Sequence, residues 1–314
     1  MPQMTPGQAR IVDPLVTALA LGYLNPAFNS QFLFPRVSVG SRAGVLPEFS
    51  RDNQKRVDSR HAPGANIPQV QVNWGKRQYS IVDRALNGKV PIELMEEAAA
   101  ATGAAPGIDM QAESLQHVQD LIALDVEVSA AELARNAANY DANHKVTLAA
   151  TTRWSQTTGT PILDMEAAKN EVRASIGANP NRLLLSNSAF VNLKNHASIV
   201  DRLKYTSSEP VSEALLARLF GVDEVAVGTG QYVADDGTTV TEVWGNDAVL
   251  AYVPKGGNFR KPSYGYTLGL RNYPAASKAF WDVNTRSWLV PWVDTAEPVL
   301  LMPGAGYLFV NAGT

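Results

Sequence analysis

Hydrophobic and polar positions divide the chain into regions of different rhythm. From residue 1 to residue 91 no stretch combines enough apolar residues with enough length to build a core of its own. Pro2, Pro6, Pro14, Pro26 and Pro35 interrupt any long helix, which predicts an extended arm over 1–35 with at most a short helix at Leu15 to Leu21. Over 36–90, Gly44 to Phe49 and Gln69 to Leu86 read as strands, the second alternating Val70, Val72 and Trp74 with Gln69, Gln71 and Asn73. A polar tract with Pro63, Gly64 and Pro68 joins them, giving a long two-stranded ribbon. Such a ribbon is marginally stable alone in water, so the first third is expected to complete itself on neighbouring molecules.

The rhythm then changes to a helical one. After the Ala/Gly-rich segment Ala98 to Gly107, Asp109 is a good N-cap for a helix running to Tyr140. Leu115, Val118, Ile122, Val126, Ser129, Leu133 and Ala137 form its mostly apolar stripe. A strand is predicted at Lys145 to Ala150. Helices follow at Asp164 to Ile176, capped by Asp164, at Ser188 to His196 and at Glu209 to Phe220. Strands at Arg182 to Leu185, Val222 to Val227, Thr239 to Trp244 and Val249 to Val253 alternate with them, the pattern of a compact α+β unit. The last part, after a basic Gly-rich turn at Lys255 to Pro262, is strand-like at Tyr264 to Leu270, Ala279 to Asn284, Ser287 to Asp294, Val299 to Met302 and Tyr307 to Asn311.

Charge sharpens this division. The ribbon region 36–89 carries ten basic against four acidic residues, a net +6, whereas the helix 109–140 carries six acids against Arg135, a net −5. A basic strap therefore precedes an acidic spine. The whole chain of 314 residues has a formal charge of −3, which argues against simple coating of nucleic acid, because phosphate neutralisation needs a Lys/Arg excess. Hydrophobic and charged contents of 45% and 18% lie in the globular range. The absence of cysteine excludes disulfides, zinc–thiolate sites and cysteine nucleophiles. The apolar run Pro14 to Leu24 is too short to span a bilayer, which takes about 20 residues. Ala18-Leu19-Ala20 resembles a signal cleavage site, but only Arg10 precedes the run and Asp13 adjoins it, so the reading is of a chain that is not secreted.

Candidate chemistry adds little. His61, His117, His144 and His196 share no metal-ligand spacing. Gly228-Thr-Gly230 lacks the third glycine and the following helix of a dinucleotide fingerprint, and Gly75-Lys76 and Gly88-Lys89 lack the rest of a phosphate loop. No GxSxG word occurs. Trp281, Trp288 and Trp292 read as strand core before ligand cage, and Glu93, Glu96 and Glu97 as a solvated face. No catalytic, cofactor-binding or metal residue is assigned.

The order of arm, basic hairpin, spine helix, α+β middle and terminal strands resembles the major capsid proteins of tailed double-stranded DNA bacteriophages, the shell fold named after phage Hong Kong 97. The stretches Tyr79-Ser-Ile-Val-Asp-Arg84 entering Val90-Pro-Ile-Glu93, Pro262-Ser-Tyr-Gly-Tyr-Thr267, Arg286-Ser-Trp-Leu-Val-Pro291 and Ala305-Gly-Tyr307 carry the likeness. The resemblance implies an α+β capsid fold. Its parts would be an N-terminal arm at 1–35, an extended loop at 36–90, a peripheral domain at 91–162 holding the spine helix 109–140, an axial domain at 163–255, and C-terminal strands at 256–314 returning to the peripheral domain.

It further implies a non-enzymatic virion subunit that assembles in the host cytoplasm into hexamers and pentamers of an icosahedral head. The head would surround packaged DNA, touched weakly and without sequence preference. Scaffolding, portal and possible cement proteins would be separate partners, and no membrane is involved. The inter-subunit contacts expected are Arg51, Lys55, Arg56, Arg60, Val70, Val72 and Trp74 on the loop, laid over Glu113, Asp120 and Glu127 on a neighbour's spine helix. The alternative is a bacterial encapsulin, a nanocompartment of the same fold that encloses enzymes. A small-molecule enzyme or a tail protein is a more remote reading.

Overall fold

A computed structural model describes residues 28–49, 53, 55–60, 64, 66–67, 69–101, 109–203, 211–234, 236–256 and 261–314. The described chain opens with a short helix, α1 (Ser30–Leu33), then β1 (Arg36–Val39), β2 (Ala43–Phe49), β3 (Trp74–Ser80), β4 (Asp83–Pro91) and α2 (Ile92–Ala101). The long helix α3 (Met110–Arg135) leads to β5 (Lys145–Thr147), α4 (Pro161–Ile176) and β6 (Arg182–Ser186). Next come α5 (Asn187–Asn195), α6 (Ala197–Leu203), α7 (Glu213–Phe220), β7 (Glu224–Gly228), β8 (Gln231–Val233), β9 (Val240–Glu242) and β10 (Ala248–Ala251). The remaining strands are β11 (Gly265–Leu270), β12 (Ala275–Ala276), β13 (Phe280–Asp282), β14 (Ser287–Leu300) and β15 (Gly306–Val310).

A five-stranded sheet in the order β5-β15-β10-β6-β7 is buried on both faces. That is why β6 reads as an uninterrupted apolar run rather than an alternation. Leu183 and Leu185 point into a core with Met165, Ala168, Leu193, Leu216 and Phe220 of the helices. Leu184 points the other way, into a core with Val172, Ile176, Tyr264, Leu308 and three alanines of α3. The second sheet runs β1-β11-β14-β12, with β13 and β4 also paired to β14.

Helix α3 joins the two. Asp109 caps it as expected, its carboxylate accepting from the amides of Gln111 (3.1 Å) and Ala112 (3.2 Å). Its first half lays Leu115, Val118 and Ile122 on Ala276, Val290 and Trp292 of the second sheet. Its second half sets Ala130, Ala131 and Ala134 into the core beneath the five-stranded sheet. A helix of 26 residues, about 39 Å long, can reach two cores where a helix of ordinary length reaches one.

Several elements depart from the sequence reading. The long helix stops at Arg135, because Asn136 turns into extended backbone (ψ 105°) and its side chain caps a separate 3-10 turn at Ala137–Asn139. The single strand expected over 69–86 is two strands with different partners. β3 pairs with β2, then the chain turns at Ile81 and Val82, and β4 runs nine residues along β14. The two strands expected at 287–294 and 299–302 are one, since β14 passes from β4 to β11 as its neighbour without breaking. Helix α4 starts at Pro161 with Thr160 at the N-cap, and the Asp164 carboxylate instead accepts from the Trp154 indole (3.0 Å) and the Thr160 hydroxyl (3.1 Å). Helix α6 was not foreseen. The last strand, β15, lies inside the five-stranded sheet between β5 and β10, apart from the other C-terminal strands. Residues 1–27 of the expected arm, including the helix expected at Leu15 to Leu21, lie outside the described residues, as does Arg51.

Candidate assembly surface

The ribbon is rooted in the protomer and exposed above its root. Leu46 and Ile81 are buried against Val39, Tyr266, Leu268 and Leu301, so the apolar positions nearest the body form a small core. Beyond it, β2 and β3 pair from Ala43↔Ser80 to Phe49↔Trp74, and their remaining described side chains are exposed or half-buried. Trp74 opens β3 at 44% exposure, whereas Val70 (72%) and Val72 (56%) precede it in a segment without regular secondary structure rather than in the predicted strand. The Asn53 side chain stands in for a strand there, donating to the Asn73 carbonyl (2.8 Å) and accepting from its amide (2.9 Å). Lys55, Arg56 and Arg60 are exposed.

Arg36, Arg42 and Arg84 of the ribbon are ion-paired within the protomer. Arg36 makes a two-pronged pair with Asp294 (2.6 and 2.8 Å). Arg42 pairs with Asp83, whose carboxylate also accepts from the Thr295 hydroxyl (2.7 Å). Arg84 is largely buried and ties β4 to both neighbours: to Asp125 (2.5 Å) and Ser129 (3.0 Å) of α3, and to Glu297 (2.9 Å) and the Ala296 carbonyl of β14. Sequence pattern cannot reveal these pairings, because the partners lie 41 to 258 residues apart.

The Arg42 guanidinium, and after it the Thr295 hydroxyl, hold the Asp83 carboxyl below its ordinary value of 3.8. A lowered carboxylate pKa means a contribution to stability present above 3.8 and lost as acid protonates the folded pair. The Ile81 amide, which donates to the Arg42 carbonyl at 2.8 Å, reports on this joint. Its hydrogen exchange, corrected for the intrinsic rate, is expected to rise on acidification below 3.8. In Asp83→Asn it should stay level through the same window.

On the spine helix the three expected contacts separate. Glu113 is exposed and Asp120 half-buried. Glu127 is fully buried, and this corrects its assignment to an outer face: no neighbour reaches it in this conformation. Its carboxylate accepts from the amides of Asn29 (2.9 Å) and Ser30 (2.5 Å) and from the Trp244 indole (2.6 Å). A signal was available, since Ala130, Ala131 and Ala134 follow at helical spacing and small residues on one face announce close packing.

The remaining candidates resolve simply. Trp292 is core, while Trp281 and Trp288 meet edge to face at 5.7 Å and are half-buried. His144 contacts Asp141 (2.7 Å), and His196 contacts Ser198 (2.8 Å) and the Gln156 carbonyl (3.1 Å). Among the described residues no group of three or more acidic, His or Cys side chains could hold a metal, and no helix is long and apolar enough to cross a membrane.

Comparison with known proteins identifies the architecture. Residues 139–264 match the model of the family described as phage major capsid protein E. The major capsid protein of Burkholderia phage BcepMu is 32% identical over 305 residues, covering 95% of this chain and 96% of the relative. The crystal structure of a phage-related protein from Bordetella bronchiseptica RB50 is 37% identical, with a TM-score of 0.82 over 98% of this chain and 99% of that one. The capsid of a native GTA particle shares the fold at 12% identity, with a TM-score of 0.59 over 98% of this chain and 94% of that one. The SrpI encapsulin of Synechococcus elongatus shares it too, so the fold does not separate a phage head from an encapsulin, whereas sequence identity does. With an α+β capsid fold and a viral relative alike along almost its full length, the chain belongs to the phage major capsid proteins.

Proposed function

We propose that this major capsid protein, a structural component of the virion, builds an icosahedral head by laying its extended loop across the next subunit. The observation that carries the reading is a loop with seven large apolar side chains exposed among its described residues between 45 and 82: Val45, Val57, Ile67, Val70, Val72, Trp74 and Val82. Such a surface needs a cover, and the capsid fold makes a second copy the natural one.

Burying one such side chain contributes about 1.5–3 kcal/mol, while an exposed ion pair contributes ~0.2–1 kcal/mol. Affinity therefore comes from the Val70, Val72 and Trp74 edge. Arg51, Lys55, Arg56 and Arg60 orient the loop over Glu113 and Asp120 of the neighbour. Glu127 is left out of this contact because it is buried in its own protomer. Each subunit touches several neighbours, so weak contacts sum around hexamers and pentamers.

The same reading divides the protomer into arm (1–35), loop (36–90), peripheral (91–162) and axial (163–255) parts, with the 256–314 strands shared between the two sheets. It makes the subunit non-enzymatic and places head assembly in the host cytoplasm around double-stranded DNA. Scaffolding, portal and cement proteins would be separate chains.

Arg51→Glu, Lys55→Glu and Arg56→Glu combined are expected to leave a soluble, folded subunit that forms no shells. Normal particles from this variant under the electron microscope would overturn the loop assignment. Purified wild-type particles assembled in the infected host should carry nucleic acid by absorbance, which an encapsulin shell filled with enzymes would not.

A further inference from the structure

We propose that Glu127 is a positioning residue for assembly, a buried latch that sets where and in what direction the arm leaves the body of the protomer. The inference rests on the reading that the amino-terminal third works on neighbouring copies. It adds the residue that aims that third.

The geometry is specific. Residues 28–35 thread between α3 and the five-stranded sheet, and their polar groups are taken up one after another. Oε1 of Glu127 accepts from the Asn29 amide (2.9 Å) and the Trp244 indole (2.6 Å), and Oε2 accepts from the Ser30 amide (2.5 Å). The Asn29 side-chain amide donates to the Val227 carbonyl (2.9 Å) of β7, and Arg182 of β6 donates to the Phe32 carbonyl (2.6 Å). Phe34 is fully buried beside Tyr264, and the Thr267 hydroxyl donates to its carbonyl (2.9 Å).

Glu127 binds two successive backbone amides at the upstream end of this segment, and it does so from the helix that spans both cores. A carboxylate fits three converging donors because it offers acceptors on both oxygens and no donor. A pull transmitted through Asn29 and Ser30 passes through Glu127 to α3 and Trp244.

The test exploits the split between the two oxygens. In Glu127→Gln the side-chain carbonyl can keep Asn29 and Trp244, but its NH2 meets the Ser30 amide donor to donor. Hydrogen exchange of a peptide covering 28–35 is expected to accelerate about tenfold, with peptides from β6 and β10 unchanged. Shell yield should fall with it.

Trp244→Phe serves as the control for stability: it removes the indole donor, leaves both backbone amides on the carboxylate, and opens space in the core. It should keep the 28–35 protection and assemble better than Glu127→Gln at matched thermal stability. Unchanged exchange at 28–35 in Glu127→Gln would overturn the latch. Faster exchange there with normal shell yield, or equal assembly loss in both variants, would overturn its positioning role. The loop charge-reversal variant leaves the latch intact, so its assembly result bears on the loop reading alone.

Discussion

Gly265→Val is expected to lower the thermal transition of the soluble protomer by about 4–5 °C, for a loss of roughly 3 kcal/mol at the upper end of overpacking costs. A β-carbon at this buried position would stand 2.5 Å from the Phe34 ring and 2.7 Å from the Val299 carbonyl oxygen. Neither can yield cheaply. The carbonyl belongs to β14, held in register by Gly265↔Leu300 and Tyr266↔Val299, and Phe34 is wedged against Tyr264 with ring centroids 5.3 Å apart. Gly40→Ala, where nothing lies within 4 Å of the added carbon, is the matched control, expected within ~0.5 kcal/mol of the parent. A Gly265→Val protein melting within about 2 °C of the parent would mean that α1, β11 and β14 do not meet as described.

The second large effect concerns Arg84. Its side chain is 11% exposed and joins β4, α3 and β14, so Arg84→Met is expected to cost ~2–4 kcal/mol. The two carboxylates should not share that loss equally. Asp125 is 62% exposed and returns to water, whereas Glu297 at 25% exposure and the Ala296 carbonyl lose a partner they cannot replace. Double-mutant cycles test the asymmetry: Arg84→Met with Glu297→Gln should show a coupling of about 1–2 kcal/mol, and with Asp125→Asn less than ~0.5 kcal/mol. Equal couplings would remove the claim that burial decides the strength of this junction.

Asp109 and the first half of the apolar stripe of α3, Leu115, Val118, Ile122 and Val126, were legible because a cap and a helical face involve residues a few positions apart. The second half instead buries Ala130, Ala131 and Ala134 in place of the expected Ser129, Leu133 and Ala137. The split of 69–86 into β3 and β4 was not legible, since the alternation of side chains continues through the turn. Only the separate partners β2 and β14 end one strand and begin the next. β15 could be recognised as a strand from its own residues, yet its place between β5 and β10 depends on partners 55 to 163 positions earlier.

Charge was the least legible layer. Arg36, Arg42 and Arg84 looked like the other cations of the loop, and Glu127 like the other acids of the spine. Composition records a charge but not its distance from an opposite one, and Coulomb energy depends on that distance and on burial.

By itself the sequence determined the types and approximate limits of the main elements, the basic and acidic halves, and the family, because these are written in local periodicity and in wording shared with relatives. Only the tertiary structure decided which charges are consumed within the protomer and which remain at its surface, that one long strand pairs with four others, and that Asn29 and Ser30 are held at Glu127. Each of those depends on groups far apart in the chain brought to within 3 Å, and no local pattern encodes such a distance.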